Sequence, residues 1–175
     1  KSARVNYFGR LNYNYAQKYL LQFTFRYDGS QNFPKNKRFG FFPGVSAGWS
    51  ISEEKFMNKI KFISYLKLKA SYGKMGNDNV PAYQYLTAYG FGNNYVINGV
   101  EVNGLNALNV PNPNITWETA KTFNFGIDFN LWDSLSGEIN VFNTERSDIL
   151  CRRSAIIPEY TGLQLPDENI GIIRN

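Results

Sequence analysis

Apolar and polar residues alternate along this chain with a period of two, in segments long enough to mark strands. Over residues 5–15, Val5, Tyr7, Gly9, Leu11, Tyr13 and Tyr15 fall on one side, and Asn6, Phe8, Arg10, Asn12 and Asn14 on the other. Over 19–28, Tyr19, Leu21, Phe23, Phe25 and Tyr27 oppose Leu20, Gln22, Thr24, Arg26 and Asp28. Only Ala16-Gln17-Lys18 separates these segments, which predicts antiparallel neighbours joined by a tight hairpin. Residues 39–51 set Phe39, Phe41, Val45, Ala47, Trp49 and Ile51 against Gly40, Gly44, Ser46, Gly48 and Ser50. Pro43 lacks a ladder donor, so a bulge or an end of pairing is expected there. Ser52-Glu53-Glu54-Lys55-Phe56 reads as a helical turn with Ser52 as N-cap and acidic residues in its first turn. Further strands are expected over 65–73, 116–130 and 136–147, and residues 169–175 begin a seventh.

The connections alternate in kind. Those at 16–18, 52–62 and 131–135 are short or compact, whereas 29–38, 74–114 and 148–168 are longer and rich in Gly, Asn and Pro. Outer-membrane barrels show this asymmetry, with short periplasmic turns and longer extracellular loops. Most segments reach the roughly 9–11 residues that a tilted membrane strand needs, longer than the usual soluble strand of about 5–6. Charge placement agrees with that reading, because an outward Arg or Lys at mid-bilayer costs about 2–4 kcal/mol. Arg10, Arg26, Asp28, Lys67, Lys69, Asp128 and Glu138 all fall on polar faces and are therefore expected to face a lumen. Lys121 and Glu145 depart from the rule, but both lie toward the long-loop end, where the cost falls away. Tyr13, Tyr15 and Tyr19 near one end, with Tyr27, Phe39 and Tyr72 near the other, would form two aromatic girdles. The fold class predicted is all-β: an antiparallel transmembrane β-barrel, of which six to seven strands are present.

Composition narrows the chemistry. Aromatic residues make up 17% of the chain while the mean hydropathy is −0.39, so bulky apolar groups are interleaved with polar ones. No run approaches the roughly 18 apolar residues of a membrane-spanning helix. Lys1-Ser2-Ala3-Arg4-Val5 lacks a signal-peptide core and already reads as strand, which predicts a start further upstream. Histidine is absent and Cys151 is the only cysteine, so the usual histidine bases and clustered thiol ligands are missing. Cys151 beside Arg152 and Arg153 reads as a loop cysteine among solvated charges, in preference to an activated thiol. The carboxylate pairs Glu53-Glu54 and Asp167-Glu168 read as exposed turns, so neither enzymatic chemistry nor a cofactor or metal is expected. The net charge of +5 is spread along the chain, and its one cluster, Lys35-Asn36-Lys37-Arg38, reads as a solvated or lipopolysaccharide-facing loop. No nucleic-acid partner is expected.

Several segments, in order along the chain, resemble the SusC/RagA family of TonB-dependent outer-membrane transporters of Bacteroidetes. They are Tyr7-Phe8-Gly9-Arg10-Leu11-Asn12-Tyr13, Tyr19-Leu20-Leu21-Gln22, Phe25-Arg26-Tyr27-Asp28-Gly29-Ser30 and the stretch from Phe39 to Trp49. Leu66 through Asp78, Asn112-Pro113-Asn114-Ile115-Thr116-Trp117-Glu118 and Asn169-Ile170-Gly171 complete the match. The resemblance implies a large plugged barrel of the 22-stranded class, a SusD-like lipoprotein lid, an oligosaccharide or peptide substrate, and energy coupling through TonB. It further implies that the plug and the remaining strands lie outside this chain, so that the chain is one portion of a longer polypeptide.

Within the long stretch 74–114, Tyr83, Tyr85, Tyr89, Phe91 and Tyr95 are interleaved with Asn93, Asn94, Asn98 and glycines. Rigid aromatics with adaptable amides suit a binding surface. Tyr83, Tyr85, Tyr89, Phe91, Asn93, Asn94 and Tyr95 are therefore the candidate contacts for the lid or the ligand, set against a purely packing role for each ring. Two other functions fit the periodicity. A passive porin-like channel would differ by lacking a plug, and a soluble carbohydrate-binding β-domain would use the same tyrosines for stacking and need no detergent.

Overall fold

The computed structural model of the chain describes residues 3–92, 94–107, 110–152 and 165–175. Its main body is one antiparallel sheet of seven strands: β1 (Arg4–Tyr15), β2 (Tyr19–Ser30), β3 (Phe39–Ser50), β4 (Ile63–Asn77), β9 (Glu118–Leu131), β10 (Leu135–Arg152) and β11 (Asp167–Arg174). The sheet order is β1-β2-β3-β4-β9-β10-β11, so every strand lies beside its neighbour in the meander, and the wall stays open. Four short strands, β5 (Tyr89–Phe91), β6 (Tyr95–Ile97), β7 (Val100–Val102) and β8 (Leu105–Ala107), lie in the connection between β4 and β9.

Register turns the alternation of single strands into continuous faces. Tyr13 pairs with Leu21, Leu21 with Ala47, Ala47 with Ala70, Ala70 with Phe125, and Phe125 with Val141, all of apolar parity. A slip of one residue at any pairing would reverse the faces beyond it. Glycines on this face are covered by the ring of the residue opposite. An added Cβ would stand 2.6 Å from the Phe25 ring at Gly9, and 2.5 Å from Phe39 at Gly29 and from Phe129 at Gly137. Pairing of β3 with β4 stops at Gly44 and Gly73, so the strands part where Pro43 offers no donor.

The hairpins at the compact end share one design. Ala16 and Gln17 (φ 50 and 57) and Trp132 and Asp133 (both φ 51) occupy left-handed conformations. Lys18 N–H donates to the Tyr15 carbonyl at 3.0 Å and Ser134 N–H to Leu131 at 3.1 Å. These are type I′ turns, whose twist matches that of the flanking strands. Glu54 fastens this end: its carboxylate accepts from Lys18 Nζ (3.0 Å), Tyr19 Oη (2.9 Å) and Trp49 Nε1 (3.3 Å). Hydrogen bonds from Lys18 first and then Tyr19 hold its carboxyl below the usual carboxylate range. Tyr15, Tyr19 and Trp49 stack beside it at 6.4 and 6.5 Å, and Tyr27 stacks on Phe39 at 5.0 Å near the opposite end.

Several boundaries differ from the sequence expectation. The helical turn is two 3-10 turns, Ile51–Glu53 and Met57–Lys59; Ser50 rather than Ser52 stands at the first N-cap, and neither turn has a side-chain cap hydrogen bond. Glu54 stands at the end of the first turn and binds Lys18, Tyr19 and Trp49 instead. β4 and β10 run past 73 and 147 to Asn77 and Arg152, because polar side chains there pair across strands. Asn77 Nδ2, for example, donates to Glu118 Oε2 at 3.1 Å. The 148–168 connection correspondingly contracts, and Arg153 and the rest of 153–164 lie outside the described residues.

Candidate functional site

The polar face is graded along the strands. Its middle level, Asn12, Gln22, Ser46, Ser71 and Asn124, is a cross-strand row of neutral hydrogen-bonding groups from β1 to β9, which ends where Phe142 of β10 stands opposite Asn124. Charge collects on either side of it. Toward the compact end Lys67 pairs in register with Asp128, and Asp128 with Glu138. Lys69 Nζ lies 2.7 Å from Asp128 Oδ1 and also reaches Glu138 Oε1. Its stem crosses Gly126, where an added Cβ would stand 2.6 Å from Lys69 Cε, so the missing side chain makes room for this three-strand ion cluster. Toward the loop end Arg26 Nη2 meets Asp28 Oδ2 at 3.0 Å, with Arg10 on the neighbouring strand facing Thr24. All seven charged residues that the sequence assigns to a lumen thus share one face of the sheet.

At the loop end the chain folds over this polar face. Phe33 and Ile115 are fully buried, and with Phe42 and Trp117 they form a small core against which Val80, Tyr85 and Leu150 pack. Phe33 and Trp117 rings lie 5.0 Å apart and Phe42 meets Trp117 edge-on at 5.3 Å. Amides lock the surrounding backbone. Asn112 Nδ2 donates to the Asp167 carbonyl at 2.6 Å, and its Oδ1 accepts from Asn114 N–H at 2.9 Å. Asn169 Nδ2 donates to the Thr116 and Asp148 carbonyls at 3.0 and 2.7 Å, while its Oδ1 accepts from Thr116 N–H at 3.0 Å. Asn32 Nδ2 donates to the Asp78 carbonyl at 3.1 Å, and Arg4 Nε lies 2.7 Å from Asp78 Oδ2. Lys37 Nζ donates to the Asn114 carbonyl at 2.9 Å, so that member of the basic cluster is tied into the same base.

From this base rises an arm over 89–107. β6 and β7 form its tip around Asn98 (φ 52) and Gly99 (φ 79), a type I′ hairpin, and β5 pairs with β8 beneath. Gly92 N–H donates to the Gly104 carbonyl at 2.9 Å between the two ladders. The sequence reading treats 74–114 as one loop, although Asn98-Gly99 between Tyr95-Val96-Ile97 and Val100-Glu101-Val102 is a strong hairpin signal. Candidate contact residues divide accordingly. Tyr89, Phe91 and Tyr95 are exposed on the arm, Phe91 by 82%, and Asn94 Nδ2 donates to Glu101 Oε1 at 2.8 Å. Tyr83, also exposed, lies 6.4 Å from Tyr85, whose ring packs on the base cluster. Asn93 lies outside the described residues. Val96, Ile97, Val100 and Leu105 add exposed apolar surface to the arm that composition did not single out.

Comparison with known proteins follows the same geometry. Residues 1–162 match the family model described as TonB dependent receptor-like, beta-barrel. TonB-dependent receptor P3 of Formosa agariphila is 37% identical over 173 residues, covering 98% of this chain and 17% of that protein. TonB-dependent receptor SusC of Bacteroides thetaiotaomicron is 34% identical over 180 residues, covering all of this chain and 18% of SusC. The solved RagAB peptide importer in its closed-closed state superposes with a TM-score of 0.85 at 28% identity, over 99% of this chain and 18% of that one. The chain therefore spans less than a fifth of the length of these relatives. Seven meandering strands with one apolar and one polar face, agreeing with SusC in sequence and RagAB in structure, place this chain in the TonB-dependent receptor β-barrel family, in its SusC/RagA branch.

Proposed function

We propose that this chain is a wall segment of a SusC-like active importer, carrying oligosaccharides or peptides across the bacterial outer membrane. The observation that carries the reading is the single apolar face maintained in register from β1 to β10. Its side chains are largely exposed, and the buried hydrophobic residues among those described are confined to Phe33, Phe42, Met57, Ile115 and Trp117. A face so broad and apolar needs a lipid neighbour, and an open edge in lipid needs the remaining strands of a closed barrel.

On this reading the polar face lines the lumen and meets a plug supplied by the rest of the polypeptide, through which TonB couples energy. The neutral middle row gives a hydrated wall, and Lys69, Asp128 and Glu138 mark its periplasmic side. The arm at 89–107 stands on the extracellular side, where its exposed rings contact a SusD-like lipoprotein lid, the incoming ligand, or both. Transport then rests on binding and gated passage, with no bond chemistry assigned to this chain. RagAB, a peptide importer, and SusC, a TonB-dependent receptor, support TonB-dependent import as the function.

Excising 89–107 from the full-length transporter tests the role of the arm. The base residues Asn112, Ile115 and Trp117 are retained, so the barrel should remain heat-modifiable while lid co-purification or substrate-dependent growth falls. A normally assembled variant unchanged in both measurements would remove the arm from the proposed function. A narrower deletion of 83–99 would cut through the hairpin and leave β7 and β8 without partners.

A further inference from the structure

One row of the apolar face is charged. Lys74 pairs in register with Lys121, Lys121 with Glu145, and Glu145 with Arg174, so four adjacent strands bring three cations and one anion to one level. Directly beneath it, toward the middle of the sheet, Tyr72 pairs with Phe123. The charges therefore begin about 7 Å beyond an aromatic pair, at two residues of roughly 3.4 Å rise each. Arg174 Nε engages Glu145 Oε2 at 2.7 Å, which uses the one carboxylate of the row. Lys74 and Lys121 have no ion-pair partner among the described residues. Like charges directly opposite each other in a sheet destabilise it unless an anion lies between them.

We propose that Lys74 and Lys121 bind a phosphate of a phosphorylated glycolipid in the outer leaflet, beside a Glu145 carboxylate that Arg174 on the next strand already neutralises. The inference rests on the outer-membrane reading above. Three features select this occupant. The row lies on the face turned to lipid and not to the lumen, it stands at the long-loop end, and it has a surplus of cations at the level just past the aromatic girdle. A phosphate between the two ammonium groups turns their repulsion into two charge-assisted contacts. The lysine stems can lie along the apolar face while their heads reach the headgroup level.

The test uses the full-length transporter, immobilised in detergent, with purified bisphosphorylated lipid A as the probe and its dephosphorylated form as the comparison. Wild type should retain the phosphorylated lipid in preference to the other, and added salt should weaken that retention. Lys74→Gln/Lys121→Gln should lower retention about three- to tenfold, as the loss of two charge contacts, one at half-buried Lys74 and one at exposed Lys121, implies. Lys74→Arg/Lys121→Arg should keep it, as should Lys59→Gln at the compact end. If the double glutamine variant does not fold, each single glutamine variant should show part of the loss in a heat-modifiable barrel. Equal retention by folded glutamine variants, or equal retention of both lipids by wild type, would overturn the proposal. Failure of the outer-membrane reading would be seen separately, as a wild-type protein that needs no detergent and shows no heat-modifiable form.

Discussion

Asn169 shows how much of the loop end depends on single side chains. Its amide makes three hydrogen bonds, to both backbone groups of Thr116 and to the Asp148 carbonyl, and so ties the start of β11 to the approach of β9 and the end of β10. Asn169→Ala leaves partly buried backbone groups unpaired and should cost about 1–3 kcal/mol of local stability. Limited proteolysis of intact cells carrying the full-length transporter should therefore cut the loop end faster in this variant, with the barrel still folded; unchanged cleavage would show that the amide is dispensable. Asn112, Trp117 and Asn169 were visible in the sequence only as members of motifs. Their roles as staples and core were not legible, because each depends on a partner far along the chain. Gly126 is similar: an ordinary strand glycine in sequence, it is the space over which Lys69 reaches its carboxylates.

At the scale of elements, alternation and turn chemistry read well where the two agree. The hairpin at 16–18 and the interruption at Pro43 follow from local rules, and the structure has both. The ends expected at 73 and 147 fall short of the observed strands, since polar residues such as Asn77 look like loop until they are seen to pair. The arm is hidden for a different reason: the long Gly- and Asn-rich stretch around it has the composition of a single loop, and only the Asn98-Gly99 turn between two short apolar runs signals the hairpin. The type I′ turns provide a prediction. Ala16 and Gln17 hold positive φ without being glycine, at a cost of about 1 kcal/mol each. Replacing Ala16-Gln17 by Asn-Gly should raise the unfolding midpoint of the full-length barrel in urea, and a lowered midpoint would show that these side chains have contacts worth more than the strain.

For the molecule as a whole, the two faces of the sheet have opposite surroundings in this account. Lys67 and Leu68 are neighbours in β4 and point to opposite sides, Lys67 in register with Asp128 and Leu68 with Ile127. The family and the all-β architecture were legible from alternation together with the spread of motifs, whereas neither alternation nor motif spacing encodes a substrate class. The central claim, that the apolar face meets lipid and the polar face a lumen, is tested most directly by two substitutions in the full-length protein. Leu68→Arg places a cation in the bilayer at about 2–4 kcal/mol, whereas Lys67→Leu changes only the inner wall. Measured as the fraction of heat-modifiable barrel recovered from outer membranes, Leu68→Arg should fall far below wild type and Lys67→Leu should stay near it; equal loss in both would contradict the facing of every strand.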